Sequence, residues 1–201
     1  MCLALLLALP GCQPASQSMD GPGPAARSHP SLPPGRGPLS GDGTAQVLRA
    51  RSLQVQDGDS FIARTSAGIR RTVRVSGIDA PERYQPHADQ SRRNLRRLLA
   101  DRDLDLHVSG TDQYGRAIAQ VFTIDTAAAE PVDVGLAQIE AGMAWFFRRY
   151  QRDLPRPSRR RYADAELGAR KTSKGLWQEQ DPEPPWDFRR RQRAVTRDRG
   201  R

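Results

Sequence analysis

The sequence predicts an α+β protein built on a small β-barrel with three helices. Hydrophobic residues make up only 37% of the 201 residues, which is little material for a large layered core. Much of residues 46–125 consists of short runs that alternate apolar and polar side chains between turn residues, a pattern typical of strands. Three longer stretches, near residues 86–100, 133–143 and 159–174, carry helix signals instead. These observations together predict the barrel and its helices.

The first two strands are predicted to form a hairpin. Leu53 and Val55 alternate with polar residues before the pair Asp57-Gly58, which favours a tight turn between antiparallel strands. Residues 60–65 then provide the returning strand.

Residues 69–75, 104–108 and 117–122 alternate in the same way and predict three further strands. In the first of these, Arg74 stands between two valines. Successive side chains of a strand point to opposite faces, so Arg74 is expected to face away from the core.

The three helices are predicted from spacing and end signals. The first runs from Pro86 to about Ala100 and places its leucines on one face. Asp133 can cap a second helix that continues through Met143. The third is expected from Arg159 to Lys174, with Gly175 as its C-terminal cap.

The positive charge is unevenly distributed. The chain carries a net charge of +9, and residues 1–48 sum to zero, so the excess lies in residues 49–201. Lysine and arginine attract polyanions because binding releases the counterions condensed on phosphates. A nucleic acid partner fits this charge, although lipid headgroups or a simple solubilising surface would fit it as well.

The N-terminal region reads as an export signal followed by a tether. Residues 1–12 contain an apolar run too short to span a bilayer and end in Leu-Pro-Gly-Cys, which resembles a bacterial lipobox with Cys12 as the lipidated residue. The expectation is an exported protein, either a cell-envelope lipoprotein of the outer membrane or periplasm or a secreted protein; a non-targeting N-terminus is the alternative. Residues 13–45 are rich in Pro, Gly and Ser and predict a disordered tether, and residues 189–201 predict a disordered basic tail.

Three short motifs concentrate acidic residues and arginines. They read D-G-D-S at 57–60, R-V-S-G-I-D-A-P-E at 74–82 and D-Q-Y-G-R at 112–116. Carboxylates are ligands of hard divalent cations, and guanidinium groups match phosphate oxygens. Alone, the first motif is more often an ordinary turn, and the end of the second is more often a helix start. Their joint occurrence favours a site for phosphodiester chemistry.

The three motifs resemble the staphylococcal nuclease (thermonuclease) family. The resemblance covers about residues 46–188 and includes Gly175-Leu176-Trp177 and Pro184-Pro185-Trp186. It implies the oligonucleotide/oligosaccharide-binding (OB) fold, a five-stranded barrel with three helices, for that part of the chain.

The resemblance also implies a metal site and a general base. Asp59 and Asp79 would be metal ligands, together with the backbone carbonyl of Ala80, and the metal would be Ca²⁺. Glu82 would activate the attacking water, because a carboxylate within hydrogen-bonding reach can accept its proton.

Arginines and aromatic residues would complete the implied site. Arg74 and Arg116 would bind the phosphate and stabilise the charge that develops in the transition state. Tyr114, Trp145 and Phe147 are candidate contacts to a base or sugar, since aromatic rings stack on bases of any sequence. For Trp145 and Phe147, the alternative is a buried aromatic cluster.

The function implied by the resemblance is a calcium-dependent nuclease of little sequence preference. Its substrates would be DNA and RNA, its products would carry 3′-phosphates, and it would act as a monomer that meets the membrane only through a lipid anchor. One alternative is a catalytically inactive OB module that binds nucleic acid. Another is a basic envelope lipoprotein that binds anionic polymers. The presence of all five charged groups, the two aspartates, Glu82 and the two arginines, favours the enzyme.

Overall fold

A computed structural model describes residues 46–124 and 130–199. The signal segment, Cys12 and the tether at 13–45 lie outside the described residues. The strands are β1 Gln46–Val55, β2 Ser60–Thr65, β3 Arg70–Val75, β4 Ile78–Asp79, β5 Asp103–Thr111, β6 Ala117–Ile124, β7 Val132–Asp133 and β8 Trp145–Phe146. The helices are α1 Ala88–Leu99, α2 Val134–Glu140, α3 Arg156–Lys171 and α4 Pro185–Arg199, with short 3₁₀ segments at Arg148–Asp153 and Gly175–Gln178.

Five of the strands close into a barrel. They are ordered β3-β2-β1-β5-β6 with antiparallel neighbours, and a parallel pairing of β6 with β3 joins the ends. The predicted OB-fold architecture is therefore confirmed. Phe61, Val73 and Leu104 are completely buried inside the barrel. On β3 the two valines point inward and Arg74 points outward, as the alternation predicts.

A β-bulge interrupts the first strand. The pairing of β1 with β2 shifts register between Ser52 and Gln54, so that Leu53 is turned outward and is 42% exposed, while Val55 remains buried. Simple alternation across Leu53 and Val55 fails here because a bulge adds one unpaired residue to the strand.

The first helix agrees with its predicted position. The second begins where predicted but ends at Glu140, three residues before the predicted Met143. The stripe formed by Leu95, Leu98 and Leu99 faces the core from α1. Asp133 caps α2 by accepting a hydrogen bond from the backbone N–H of Leu136 at 3.2 Å.

The third helix ends earlier than predicted. α3 stops at Lys171, and the hydroxyl of Thr172 donates to the carbonyl of Gly168 at 2.9 Å. Gly175 therefore does not cap α3. It opens the following 3₁₀ segment with φ of +55°, where a side chain would meet the backbone carbonyl of Gly142.

The prediction of a disordered tail from Arg189 is wrong for the described residues, because Pro185–Arg199 forms α4. Proline is well tolerated at the first position of a helix, where its missing N–H would have no partner, and the acidic Asp187 suits the first turn. Phe188 is 9% exposed, so the first turn of α4 packs against the body of the protein. No helix in the described part of the chain is long and apolar enough to cross a membrane.

Candidate active site

Asp59 connects the first two acidic motifs. Its backbone N–H donates to the Asp57 carboxylate at 2.9 Å, which shapes the turn after β1. Its own carboxylate accepts the N–H of Ala80 at 2.9 Å and the hydroxyl of Ser60 at 2.8 Å. The turn that carries Asp59 is thereby held against the segment that follows Asp79.

Gly58 allows this turn to lie directly against α1. A Cβ atom at residue 58 would lie 1.9 Å from the Ser91 hydroxyl oxygen and 2.6 Å from the Ala80 Cβ, so any side chain would displace the turn. The completely buried amide of Gln138 donates to the Gly58 carbonyl at 2.6 Å and to the Ser91 carbonyl at 3.3 Å. Gln138 thus positions the turn from α2.

We expect Gln138→Leu to destabilise the protein by about 1–3 kcal/mol, because the buried Gly58 carbonyl would lose its hydrogen-bond donor. The free energy of unfolding, measured by urea denaturation in chelator, tests this. Gln54→Leu, at an exposed position of β1, is the matched control. Equal stability of the two variants would contradict a positioning role for Gln138.

Arg74 brings the two candidate metal ligands together. Its guanidinium lies 2.8 Å from an Asp59 carboxylate oxygen and 3.3 Å from one of Asp79. Asp79 lies on β4, which pairs with β8, and its side chain is almost fully buried. Burial raises the pKa of Asp79 above its ordinary value, and burial followed by the charge of Asp59 raises the pKa of Asp57. A group of acids in such surroundings favours a nearby cation.

Arg189 is a site residue that the sequence analysis missed. Its guanidinium donates to both carboxylate oxygens of Asp79, at 2.7 and 3.2 Å, and to Glu82 at 2.6 Å. Glu82 therefore pairs with Arg189 rather than with its neighbour Arg83. The signal that could have found Arg189 is the helix start at Pro185, which places this arginine one turn into α4.

Arg116 lies on a well-defined turn between β5 and β6. The Asp112 carboxylate accepts the Arg116 backbone N–H at 2.9 Å and the guanidinium at 2.7 Å. Gly115, with φ of +77°, permits the turn. A second guanidinium nitrogen of Arg116 is 3.4 Å from the Ser60 hydroxyl, which directs it toward Asp59. Tyr114 is 74% exposed beside it.

A cleft of about 1170 Å³ gathers nearly all the predicted groups. The two candidate metal ligands, the candidate base and both arginines line it, as do Tyr114 and Phe147. The structure therefore assembles acids and guanidinium groups from five separate chain segments in one open cavity, an arrangement suited to binding and polarising a phosphodiester. The charged residues that line the cleft include Asp57, Asp59, Arg74, Asp79, Glu82, Asp112, Arg116 and Arg189.

The profile of the family described as "Staphylococcal nuclease homologue" matches residues 72–179, more than half of the chain. The chain belongs to this family. A rice protein named "Probable staphylococcal-like nuclease CAN2" is 33% identical over 126 residues, which are 63% of this chain and 31% of that protein. An Escherichia coli O157:H7 protein named "Uncharacterized endonuclease" is 31% identical over 144 residues, 72% of this chain and 86% of that protein. A Shigella flexneri "Micrococcal nuclease" is 26% identical over 152 residues, 74% of this chain and 84% of that protein.

The chain spans about a third of the length of the rice proteins that it matches. In this staphylococcal nuclease homologue, Arg74, Asp79, Glu82 and Arg116 lie within the matched range, residues 72–179. Asp59 precedes the matched residues and α4 follows them. Asp59 and the α4 residues Arg189 and Arg193 nevertheless line the same cleft.

Trp145, a candidate contact to a base or sugar, has a buried side chain. Its side chain is 3% exposed and packs edge-on against Trp177, with ring centroids 5.5 Å apart. A ring covered in this way has no face free for a base, so the alternative of a buried aromatic cluster holds for Trp145. Phe147 is partly exposed and stacks on Trp186 with centroids 5.2 Å apart and planes at 14°. It lines the cleft, as Tyr114 does.

The donor set offers a hard cation two carboxylates rather than a complete cage. Among the described residues, no group of three or more Asp, Glu, His or Cys side chains could hold a metal ion by itself. Asp59 and Asp79 nevertheless converge on Arg74, and the Ala80 backbone adjoins both. Calcium accepts carbonyl and water oxygens beside carboxylates, so these residues fit a partly hydrated calcium ion.

Proposed function

We propose that this protein is a nuclease that hydrolyses the phosphodiester bonds of nucleic acids. The observation that carries the proposal is the convergence of Asp79, Glu82, Arg74 and Arg116 on one open cleft of a basic protein. The names of several relatives, which include endonuclease and micrococcal nuclease, support it.

Calcium is the proposed cofactor. Asp59, Asp79 and the carbonyl of Ala80 would hold it, with water completing the coordination. When bound, such a cation supplies positive charge that polarises a phosphoryl oxygen.

The protein groups divide the remaining work. Glu82 is 37% exposed in its side chain, so it can reach a water molecule in the cleft and accept a proton from it. Arg74 and Arg116 donate to the non-bridging phosphoryl oxygens as negative charge develops there. The water forms a new bond to phosphorus as the bond to the 5′-oxygen breaks; the 5′-oxygen takes up a proton to become a hydroxyl, and the phosphate stays on the 3′-oxygen of the other product.

The proposed substrates are both DNA and RNA, cleaved with little regard to sequence. The charged groups of the cleft would bind the phosphate, which every nucleotide has. Tyr114 and Phe147 offer ring faces for stacking rather than hydrogen-bond donors and acceptors that distinguish one base from another. We further propose that the protein acts as a monomer outside the cytoplasm, with lipidation at Cys12 as its only membrane attachment.

Cleavage of labelled single-stranded DNA, duplex DNA and RNA, each in calcium and in excess chelator, tests the proposal. We expect calcium-dependent cleavage of all three, and new ends that a phosphatase must treat before they can be extended. Tight binding without cleavage in any divalent metal would instead identify an inactive nucleic-acid-binding module.

Arg189 and a cation would compete for the same carboxylate. We expect Arg189→Gln to tighten calcium binding about tenfold, because Asp79 and Glu82 lose a charged hydrogen-bond donor that contributes about 1.5 kcal/mol or more. Isothermal titration without nucleic acid measures this directly. Arg193→Gln removes the same charge from the cleft and serves as the control, since none of the described carboxylates pairs with Arg193. Equal calcium affinity of the Arg189 variant and the control would exclude competition.

A further inference from the structure

A second groove of about 600 Å³ adjoins the active-site cleft. Nine residues line it, and they are five arginines and four aromatic residues. Phe147, Tyr150, Arg189 and Arg193 line both the groove and the cleft, so the two cavities are continuous. The groove lies between α4 and the segment 146–150, and neither the candidate metal ligands nor Glu82, Arg74 or Arg116 line it.

The aromatic residues of the groove provide ring surfaces. Trp186 and Phe147 are stacked nearly parallel, and Tyr150 and Phe147 form a T-shaped pair with centroids 5.0 Å apart. Tyr150 is 51% exposed. Exposed ring faces beside cationic groups are what single-stranded nucleic acid uses, because bases stack on the rings while phosphates meet the cations.

The arginines of the groove are incompletely neutralised. Arg148 pairs with Glu166 at 3.0 Å and Arg190 with Asp187 at 2.9 Å. Arg149 and Arg193 form no ion pair with any carboxylate in residues 46–124 and 130–199. Two guanidinium groups on opposite walls of the groove thus remain available to an anionic partner.

We propose that this groove binds a single nucleic acid strand as it continues beyond the phosphate in the cleft. The inference rests on the proposed nuclease function, because the strand is the same one whose phosphate is cleaved. The ring faces favour a nucleic acid over an acidic polypeptide, since carboxylates would use the arginines alone. Helix α4 is then part of the substrate-binding surface and not merely a tail.

The test is the salt dependence of binding to a labelled single strand about a dozen nucleotides long, measured by fluorescence anisotropy in chelator. The double variant Arg149→Gln/Arg193→Gln should reduce the slope of log affinity against log salt by about 1.4 between about 50 and 200 mM, because each neutralised phosphate of a single strand contributes about 0.7 to that slope. The control is Arg70→Gln/Arg71→Gln, which removes the same charge from exposed positions of β3 that lie outside both cavities and, like the groove pair, form no ion pair within the described residues. An equal change of slope in both variants, or no change in either, would overturn the proposal.

A second measurement tests the ring faces without altering the protein. An abasic strand of the same length and charge should bind at least about fivefold more weakly, since each stacked base contributes about a factor of five or more. Equal binding of the abasic strand, or its displacement by poly-glutamate of equal charge, would contradict the assignment to nucleic acid.

The two proposals fail separately. If the protein cleaves nucleic acid but Arg149→Gln/Arg193→Gln leaves the salt slope unchanged, the groove proposal is wrong and the nuclease proposal stands. If this double variant reduces the salt slope but the protein cleaves nucleic acid in no divalent metal, the nuclease proposal is wrong and the groove remains a nucleic acid-binding surface.

Discussion

Glu82→Gln is expected to lower the cleavage rate by about 10²- to 10⁴-fold, the usual contribution of a general base. The amide has the shape of the carboxylate but cannot accept a proton from water at working pH. It can still accept a hydrogen bond from Arg189, which lies 2.6 Å from Glu82. Single-turnover cleavage of labelled DNA in saturating calcium measures the loss, and the affinity for uncleaved DNA should stay nearly constant.

The matched control is Glu140→Gln, which makes the same chemical change at an exposed position at the end of α2. It should cleave at the wild-type rate. Retained activity in Glu82→Gln would mean that another group or bulk solvent takes the proton, and the assignment of Glu82 would be wrong.

Arg74→Gln and Arg116→Gln should both reduce cleavage by about 10²- to 10³-fold, the loss typical of one group that stabilises transition-state charge. Their effects on stability should differ. Arg74 pairs with two buried carboxylates, and removal of one partner of a buried pair costs about 3–5 kcal/mol. Arg116 pairs with Asp112 on a partly exposed turn, so its loss should cost less than about 1 kcal/mol.

Urea denaturation in chelator, paired with cleavage assays in calcium, separates these two effects. Each variant serves as the control for the other, since the chemical change is identical. If Arg116→Gln lost as much stability as Arg74→Gln, burial of the ion pair would not determine how much each arginine contributes to the free energy of unfolding. If either variant kept full activity, that arginine would not contact the phosphate during the reaction.

The charged residues of the site are the part that local sequence predicts best. Asp59 and Glu82 lie beside strand ends, and Asp79 ends β4. Arg74 alternates with buried valines, so pattern alone indicates which way Arg74 points. Their convergence depends on long-range pairing of strands. The family resemblance predicts that convergence, whereas spacing along the chain does not.

The errors have physical causes that a single sequence conceals. An aromatic residue beside a strand end is equally consistent with a buried and an exposed ring, so the sequence allows a substrate contact for Trp145 although it packs on Trp177. The bulge near Leu53 leaves no mark in the alternation. The arginine-rich end of the chain resembles a disordered tail because helix α4 gains its order from a few contacts, such as those of Trp186 and Phe188, that are distant in sequence.

The parallel pairing that closes the barrel has a consequence for when the protein can act. It aligns Arg74 with Ile118, two residues beyond Arg116, and so brings together from distant parts of the chain the two arginines proposed to bind phosphate. Contacts of such long sequence separation carry a large loop-closure cost and tend to form slowly in folding. A half-folded chain therefore has no assembled cleft. Catalytic activity should appear only with the complete native barrel. The rate at which cleavage activity appears during refolding should therefore measure the rate at which β3 and β6 pair and close the barrel.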